Sequence, residues 1–150
     1  MLTGGQRASI VPDMTDAAGD HGLRQASFIC PIPVVDLARA RGFYCETLGL
    51  TYLAASSAGI LVDLGGGSRI LLYQSPGGDQ PTHTVAGWEV PELEPLIERL
   101  QAAGVVFEDY DLPGLKTEGH IAWIGPERAA WFRDSEGNVL AISEPWTARR

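Results

Sequence analysis

The sequence predicts an α+β fold made of two βαβββ modules, each a strand, a helix and a further run of strands. Two segments, 34–49 and 90–104, each run from an apolar strand end through a helical pattern to a glycine. Short apolar segments bounded by turn residues follow both of them. Residues 75–81, S-P-G-G-D-Q-P, have the composition of a linker and separate the two halves.

The first half begins with an apolar strand at 26–35. Pro31 and Pro33 cannot donate a hydrogen bond to a neighbouring strand, so we expect one side of this strand to be a sheet edge or to carry a bulge. Asp36 is the predicted N-cap of the first helix, and Gly49 is its left-handed end. Three further strands are predicted at 50–54, 60–64 and 69–74.

The second half repeats this order with a helix at 92–103. Its strands are predicted at 83–90, 105–108, 120–124, 129–133 and 139–143. The loop 109–119 is longer than a hairpin needs and carries several charged side chains. Long charged loops in compact domains commonly serve binding, so this one either closes over the mouth of a ligand site or is a solvated connection.

Composition bounds the class of protein. We expect one domain at 25–145 with modules at 25–75 and 82–145, a flexible tail at 1–24 and a short tail at 146–150. The net charge of −8 argues against nucleic acid as a partner, and no apolar run has the roughly 20 residues that cross a membrane. Two cysteines at this spacing indicate neither a disulfide framework nor a zinc site, which favours the cytoplasm.

Two motifs carry a family resemblance. They are V-x-D-L-x-R-A-R-x-F-Y-x-x-T-L-G-L at 34–50 and W-F-R-D-S-E-G-N-V-L-A-I at 131–142. In this order they resemble the vicinal oxygen chelate superfamily, which includes glyoxalase I, bleomycin-resistance proteins and extradiol dioxygenases. The resemblance implies that two βαβββ modules form a cupped mixed sheet, that a small-molecule ligand lies in the cup and that the protein is a homodimer.

The metal enzymes of this superfamily place four His, Glu or Gln ligands in the cup. Carried over residue by residue, these positions fall on Ile29, Leu71, Val85 and Ala141. Aliphatic side chains offer no lone pair to a divalent ion. The resemblance is therefore to a branch without the metal site, and we expect no metal and no other cofactor.

Strand alternation places the neighbours of these four positions in the cup as well. Tyr73 could stack on a ligand, and Arg69 could orient a carboxylate. The predicted ligand-binding residues are Ile29, Pro31, Arg69, Leu71, Tyr73, His83, Val85, Lys116, His120, Trp123, Ala141 and Ser143.

Three functions remain open from the sequence. The first is a metal-free small-molecule-binding protein with the ligand in an apolar sheet cup. The second is a lyase, isomerase or dioxygenase-like enzyme with an atypical metal site or with relocated catalytic groups, drawn from Tyr73, His83, Lys116, His120 and Glu144. The third is an accessory protein whose cup mainly forms a dimer interface.

Overall fold

The computed structural model describes residues 22–77 and 82–145. The two predicted tails lie almost entirely outside the described residues. Of the N-terminal tail, residues 22–24 are described, and the short 3-10 helix Leu23–Gln25 begins there. The first module forms a four-stranded sheet in the order β1-β4-β3-β2. Its elements are β1 (Ile29–Val34), α1 (Leu37–Arg41), a π-helix (Gly42–Thr47), β2 (Thr51–Ser56), β3 (Gly59–Gly65) and β4 (Ser68–Gln74).

Local chemistry explains the start of this module. β1 runs parallel to β4 at the end of its sheet, so the edge predicted from Pro31 and Pro33 is confirmed. The N-cap is confirmed as well, because the backbone N–H of Arg39 donates to Asp36 Oδ1 at 3.0 Å. Gly49 has a φ of 76°, as a left-handed helix end requires.

The predicted first helix differs in its second half, which is a π-helix rather than an α-helix. There the backbone N–H of Leu48 donates to Phe43 O, five residues back. A π turn holds more residues than an α turn, so successive side chains are separated by a smaller angle. Phe43 is partly buried against the core, and Tyr44 beside it is fully buried.

The second module forms a sheet in the order β5-β11-β10-β6. β9 pairs with residues 127–129 of β10, next to the part of β10 that pairs with β6. Its elements are β5 (Thr84–Glu89), α2 (Leu93–Ala102), β6 (Phe107–Glu108), β7 (Asp111–Leu112), β8 (Leu115–Lys116), β9 (Ala122–Ile124), β10 (Glu127–Arg133) and β11 (Val139–Ser143). The predicted loop 109–119 contains the small β7–β8 hairpin. The strand predicted from residue 120 begins later, because His120 has a φ of 72° and belongs to a turn.

One hydrophobic core joins the two modules. Alternate residues of both sheets point into it, among them Ile32 and Ile70 of the first sheet and Phe132 and Ile142 of the second. The first helix lies between the sheets. It contacts β3 and β4, and the ring of Phe43 lies 6.5 Å from that of Phe132.

A polar turn, 134–138, fastens the second module to the first. The backbone N–H groups of Val35 and Asp36 donate to Glu136 Oε1 at 2.9 and 3.0 Å, and Arg39 Nε donates to Glu136 Oε2 at 2.7 Å. The Tyr44 hydroxyl donates to Asp134 Oδ2 at 2.6 Å. A carboxylate of the second module thus satisfies donors at the first helix, which fixes how the modules meet.

Alternation along each strand then decides where the remaining side chains lie. Because one face of each sheet points into the shared core, the other face of each sheet points away from it. We call these outward faces the cup faces. Among the described residues, no helix is long and apolar enough to cross a membrane.

Candidate functional site

The cup face of the first sheet is organised in cross-strand rows. Directly opposed residues share a face, so the strand register identifies each row. The first row is Ile29, Arg69, Asp63 and Thr51. The second row is Pro31, Leu71, Leu61 and Ala54. Beyond it, Tyr73 lies opposite Pro33.

These rows give the face a polar end, an apolar middle and an aromatic end. Arg69 lies directly across from Asp63 in the register. Leu71 is half-buried at the centre, while Ile29 and Tyr73 are 38% and 37% exposed. Exposed apolar side chains next to a few polar groups are the usual composition of a small-molecule site.

The cup face of the second sheet has one well-defined row. It crosses four strands as Glu108, Trp131, Ala141 and Gly87. A Cβ at Gly87 would lie only 2.9 Å from the carbonyl oxygen of Ala141, so this part of the face has to be bare backbone. The Trp131 side chain therefore stands beside a flat strip formed by a methyl group and a glycine.

Tyr110 fixes the other side of Trp131. The two rings meet edge to face, with centroids 5.6 Å apart and planes at 85°. The Tyr110 hydroxyl donates to Glu108 Oε1 at 2.8 Å, and Arg133 Nε donates to Glu108 Oε2 at 2.6 Å. Burial, followed by the hydrogen bond to Glu108, raises the pKa of Tyr110 to about 12. Tyr110 is thus a neutral side chain in a fixed position at neutral pH.

The family's four metal positions do not fit a cation here. Ile29 and Leu71 lie on the first cup face and Ala141 on the second. Val85 sits at an irregularity where the β5–β11 register shifts, and its carbonyl oxygen lies 4.0 Å from the Cys30 thiol. None of the four side chains has a donor atom. Within residues 22–77 and 82–145, no cluster of three or more His, Cys, Asp or Glu side chains could hold a metal.

The structure places seven of the predicted ligand-binding residues on the cup faces, five on the first face and two on the second, and within one chain these two groups do not meet. They are Ile29, Pro31, Arg69, Leu71 and Tyr73 on the first and Ala141 and Ser143 on the second.

The other predicted residues lie elsewhere. His83 is exposed just before β5, and Val85 lies at the register shift. Lys116 and Trp123 border a separate groove beside α2, where Trp123 is 65% exposed. His120 Nδ1 lies 3.0 Å from Asp109 Oδ1, and its ring packs 5.9 Å from that of the core residue Phe107.

The predicted ligand-binding residues omit three residues of the second cup face, Tyr110, Trp131 and Gly87, although alternation from Val85 had already placed Gly87 on that face. Trp131 has the strand parity of Ala129, but its alignment with Ala141 depends on the register of β10 against β11. Tyr110 reaches Trp131 only through the fold of the loop. Alternation along β10 was the one available signal, and it could not show which neighbours Trp131 would have.

Comparison with known proteins identifies the family. Residues 24–142 match the model of the Glyoxalase/Bleomycin resistance protein/Dioxygenase superfamily. No match is found among curated proteins.

Solved structures with similar folds include UcmS2 (22% identity, TM-score 0.61, covering 80% of this chain and 98% of that one). A lactoylglutathione lyase from Agrobacterium tumefaciens is also similar (17% identity, TM-score 0.60, 82% and 97% covered). A third is TnmS3, an antibiotic binding protein from Streptomyces sp. CB03234 (21% identity, TM-score 0.54, 80% and 95% covered). At these identities the likeness concerns the fold, and it confirms the predicted pair of βαβββ modules. With the family match over most of its length, the chain belongs to the glyoxalase/bleomycin resistance protein/dioxygenase superfamily.

Proposed function

We propose that this protein binds a small amphipathic molecule on its cup faces without a metal ion. The observation that carries the proposal is the row of Pro31, Leu71, Leu61 and Ala54, an apolar strip on a face turned away from the core. Arg69 and Tyr73 flank this strip and offer a charge and a ring at its two ends. Such a surface suits a molecule with an apolar body and a polar group.

The second cup face adds an aromatic wall to the proposed site. Trp131 stands beside the flat strip of Ala141 and Gly87, so a planar part of the ligand could lie on that strip against the indole. Tyr110 holds the indole from the other side. The β7–β8 hairpin follows directly after Tyr110, and we propose that it borders the site.

The absence of donor atoms at the family's metal positions supports binding over metal-dependent catalysis. His120, one of the candidates for a relocated catalytic group, contacts Asp109 and lies near Gln101 of α2. This position is on the core side of the second sheet. TnmS3, one of the similar folds, is an antibiotic binding protein, which makes sequestration of such a compound a reasonable role for this chain too.

A second copy of the chain completes the proposed site. Within one chain both cup faces point away from the shared core, so they cannot face each other. We propose that the first face of one protomer meets the second face of its partner in a homodimer.

Cys30 and Cys45 are both free cysteines, as expected for the cytoplasmic location that we include in the proposal.

Dye titration tests the binding. Crystal violet, a cationic amphipath, suits the net charge of −8, and anilinonaphthalene sulfonate provides an anionic comparison. We expect Leu71→Asp to weaken binding of the better dye at least about tenfold, or about 1.4 kcal/mol. Val106→Asp is the matched control, because Val106 is an apolar residue that lies outside the cup faces and is 80% exposed.

Two outcomes would count against the proposal. Equal loss of dye binding in Leu71→Asp and Val106→Asp would contradict the proposal that the dye binds on the cup face. A rise in Tm that saturates with one equivalent of Zn²⁺, Mn²⁺ or Ni²⁺ would contradict metal-free binding. Sedimentation equilibrium tests the dimer separately, with an expected mass of about twice 16.1 kDa.

A further inference from the structure

A second apolar pocket lies at the seam between the modules. Its volume is about 220 Å³, and it is bordered by β1, β4 and β5. We call it the seam pocket. Its main walls are Phe28, Cys30, Ile32, Ile70, Ala86 and Trp88.

The seam pocket is distinct from the cup faces. Ile32 and Ile70 point to the core side of the first sheet, where each is only 1% exposed. Arg69 and Gly87 also border the pocket. Alternation along β4 directs the Arg69 side chain to the cup-face row with Ile29, and Gly87 has no side chain and contributes only backbone. A molecule in the seam pocket would thus lie on the opposite side of the first sheet from a ligand in the cup.

Aromatic side chains define two walls of the seam pocket. The Trp88 indole is held in place by stacking on Phe132, with ring centroids 6.4 Å apart and planes at 11°. Phe28 borders the pocket but is 71% exposed. A bound molecule would cover apolar surface of Phe28 that the chain itself leaves in water. Burial also raises the pKa of the Cys30 thiol, which indicates surroundings of low polarity.

We propose that the seam pocket binds an uncharged aromatic molecule of one or two rings. An apolar cavity of about 150 Å³ already accepts benzene, and this pocket is larger. Trp88 offers the edge and face that a second ring prefers. A charged ligand is disfavoured, because the core-side walls provide no counter-charge to offset its desolvation. The inference does not depend on the function proposed for the cup.

Protection of a thiol from alkylation tests the seam pocket in the unaltered protein. Cys30 lines the pocket, whereas Cys45 lies on the π-helix and is not among the pocket's walls. With indole as the probe, iodoacetamide labelling of each cysteine is followed by peptide mass spectrometry at about pH 9. We expect indole at about twice its Kd to slow labelling of Cys30 about threefold by mass action and to leave Cys45 unchanged.

Leucine substitutions at two alanines show where indole binds. Ala86→Leu fills the pocket, so it should abolish the protection of Cys30. Ala54→Leu adds the same bulk on the first cup face and should leave the protection intact. If Ala86→Leu fails to fold, the ratio of Cys30 to Cys45 labelling in the wild type still tests whether indole binds in the seam pocket.

Three results would overturn the inference. The first is a rate of Cys30 labelling that stays constant up to the solubility limit of indole, and the second is an equal slowing of labelling at both cysteines. Protection of Cys30 that rises with protein concentration alone would instead assign the Phe28 surface to a second copy of the chain.

Discussion

Glu136→Gln is the substitution that tests most directly how the modules are held together. The Glu136 side chain is fully buried and accepts hydrogen bonds from the backbone of Val35 and Asp36 and from the side chain of Arg39. The hydrogen bond from Arg39 is the main cause that lowers the pKa of Glu136 from 4.5 to about 2, against the opposing effect of burial. Glutamine keeps the shape but removes the charge.

The magnitude follows from this pKa. At about 1.4 kcal/mol per pKa unit, the ionised carboxylate contributes at most about 3 to 4 kcal/mol to the free energy of unfolding. The side chain of Arg39 is 54% exposed, and solvent screening reduces its share. We therefore expect Glu136→Gln to lower the free energy of unfolding by about 2 kcal/mol at pH 7.

The pH dependence has a definite sign. A carboxyl group whose folded pKa is depressed stabilises the fold fully above its unfolded pKa and loses that contribution as pH falls toward the folded value. For Glu136 this window runs from 4.5 down to about 2. The difference between wild type and variant should thus fall to less than about half its neutral value at pH 3.

Urea denaturation of both proteins at pH 7, 4 and 3 measures this difference. Glu98→Gln is the matched control, because Glu98 is exposed on α2, and we expect a change within about 0.5 kcal/mol at every pH. A Glu136→Gln difference that is the same at all three pH values would refute the electrostatic reasoning. It would show that packing of the turn, rather than its charge, joins the modules.

Three further predictions concern a buried hydroxyl, a close backbone approach and two partly buried thiols. Tyr44→Phe removes the hydroxyl that donates to a buried carboxylate and should lower the free energy of unfolding by about 2 kcal/mol in urea denaturation; an unchanged value would mean that the carboxylate's other donors suffice. Gly87→Ala should lower Tm through a steric clash of about 1–3 kcal/mol, whereas Gly42→Ala, whose added Cβ has room, should not; equal Tm changes would argue against the close approach. Because burial raises the pKa of Cys30 and Cys45, both native thiols should alkylate more slowly at pH 8 than in urea; equal rates would contradict the burial.

Much of the local structure follows from residue type. Asp36 and Gly49 mark the ends of the first helical segment because their capping chemistry acts over a few residues. Pro31 and Pro33 identify an edge strand for an equally local reason. The change from an α-helix to a π-helix at Gly42 was not predictable, because it depends on how two aromatic side chains pack against another module.

The candidate site was only partly predictable. The parity of residues along β1 and β4 placed Ile29, Leu71 and Tyr73 on one face, since side chains alternate in any strand. The same argument did not apply cleanly to Val85, because the β5–β11 register shifts beside it. Trp131 gained its place next to Ala141 from pairing between strands, which the sequence of one strand does not specify.

The sequence by itself determined the superfamily, the two βαβββ modules and the lack of donor atoms at the family's metal positions. These properties depend on residue identity and short-range periodicity, which are written into each segment. The tertiary structure decided that the modules share one core through their inner faces and that both cup faces point outward. It also decided that a pocket remains at the seam. These features arise from contacts between residues up to about a hundred positions apart, such as Val35 with Glu136, and long-range packing of this kind is set by the whole fold.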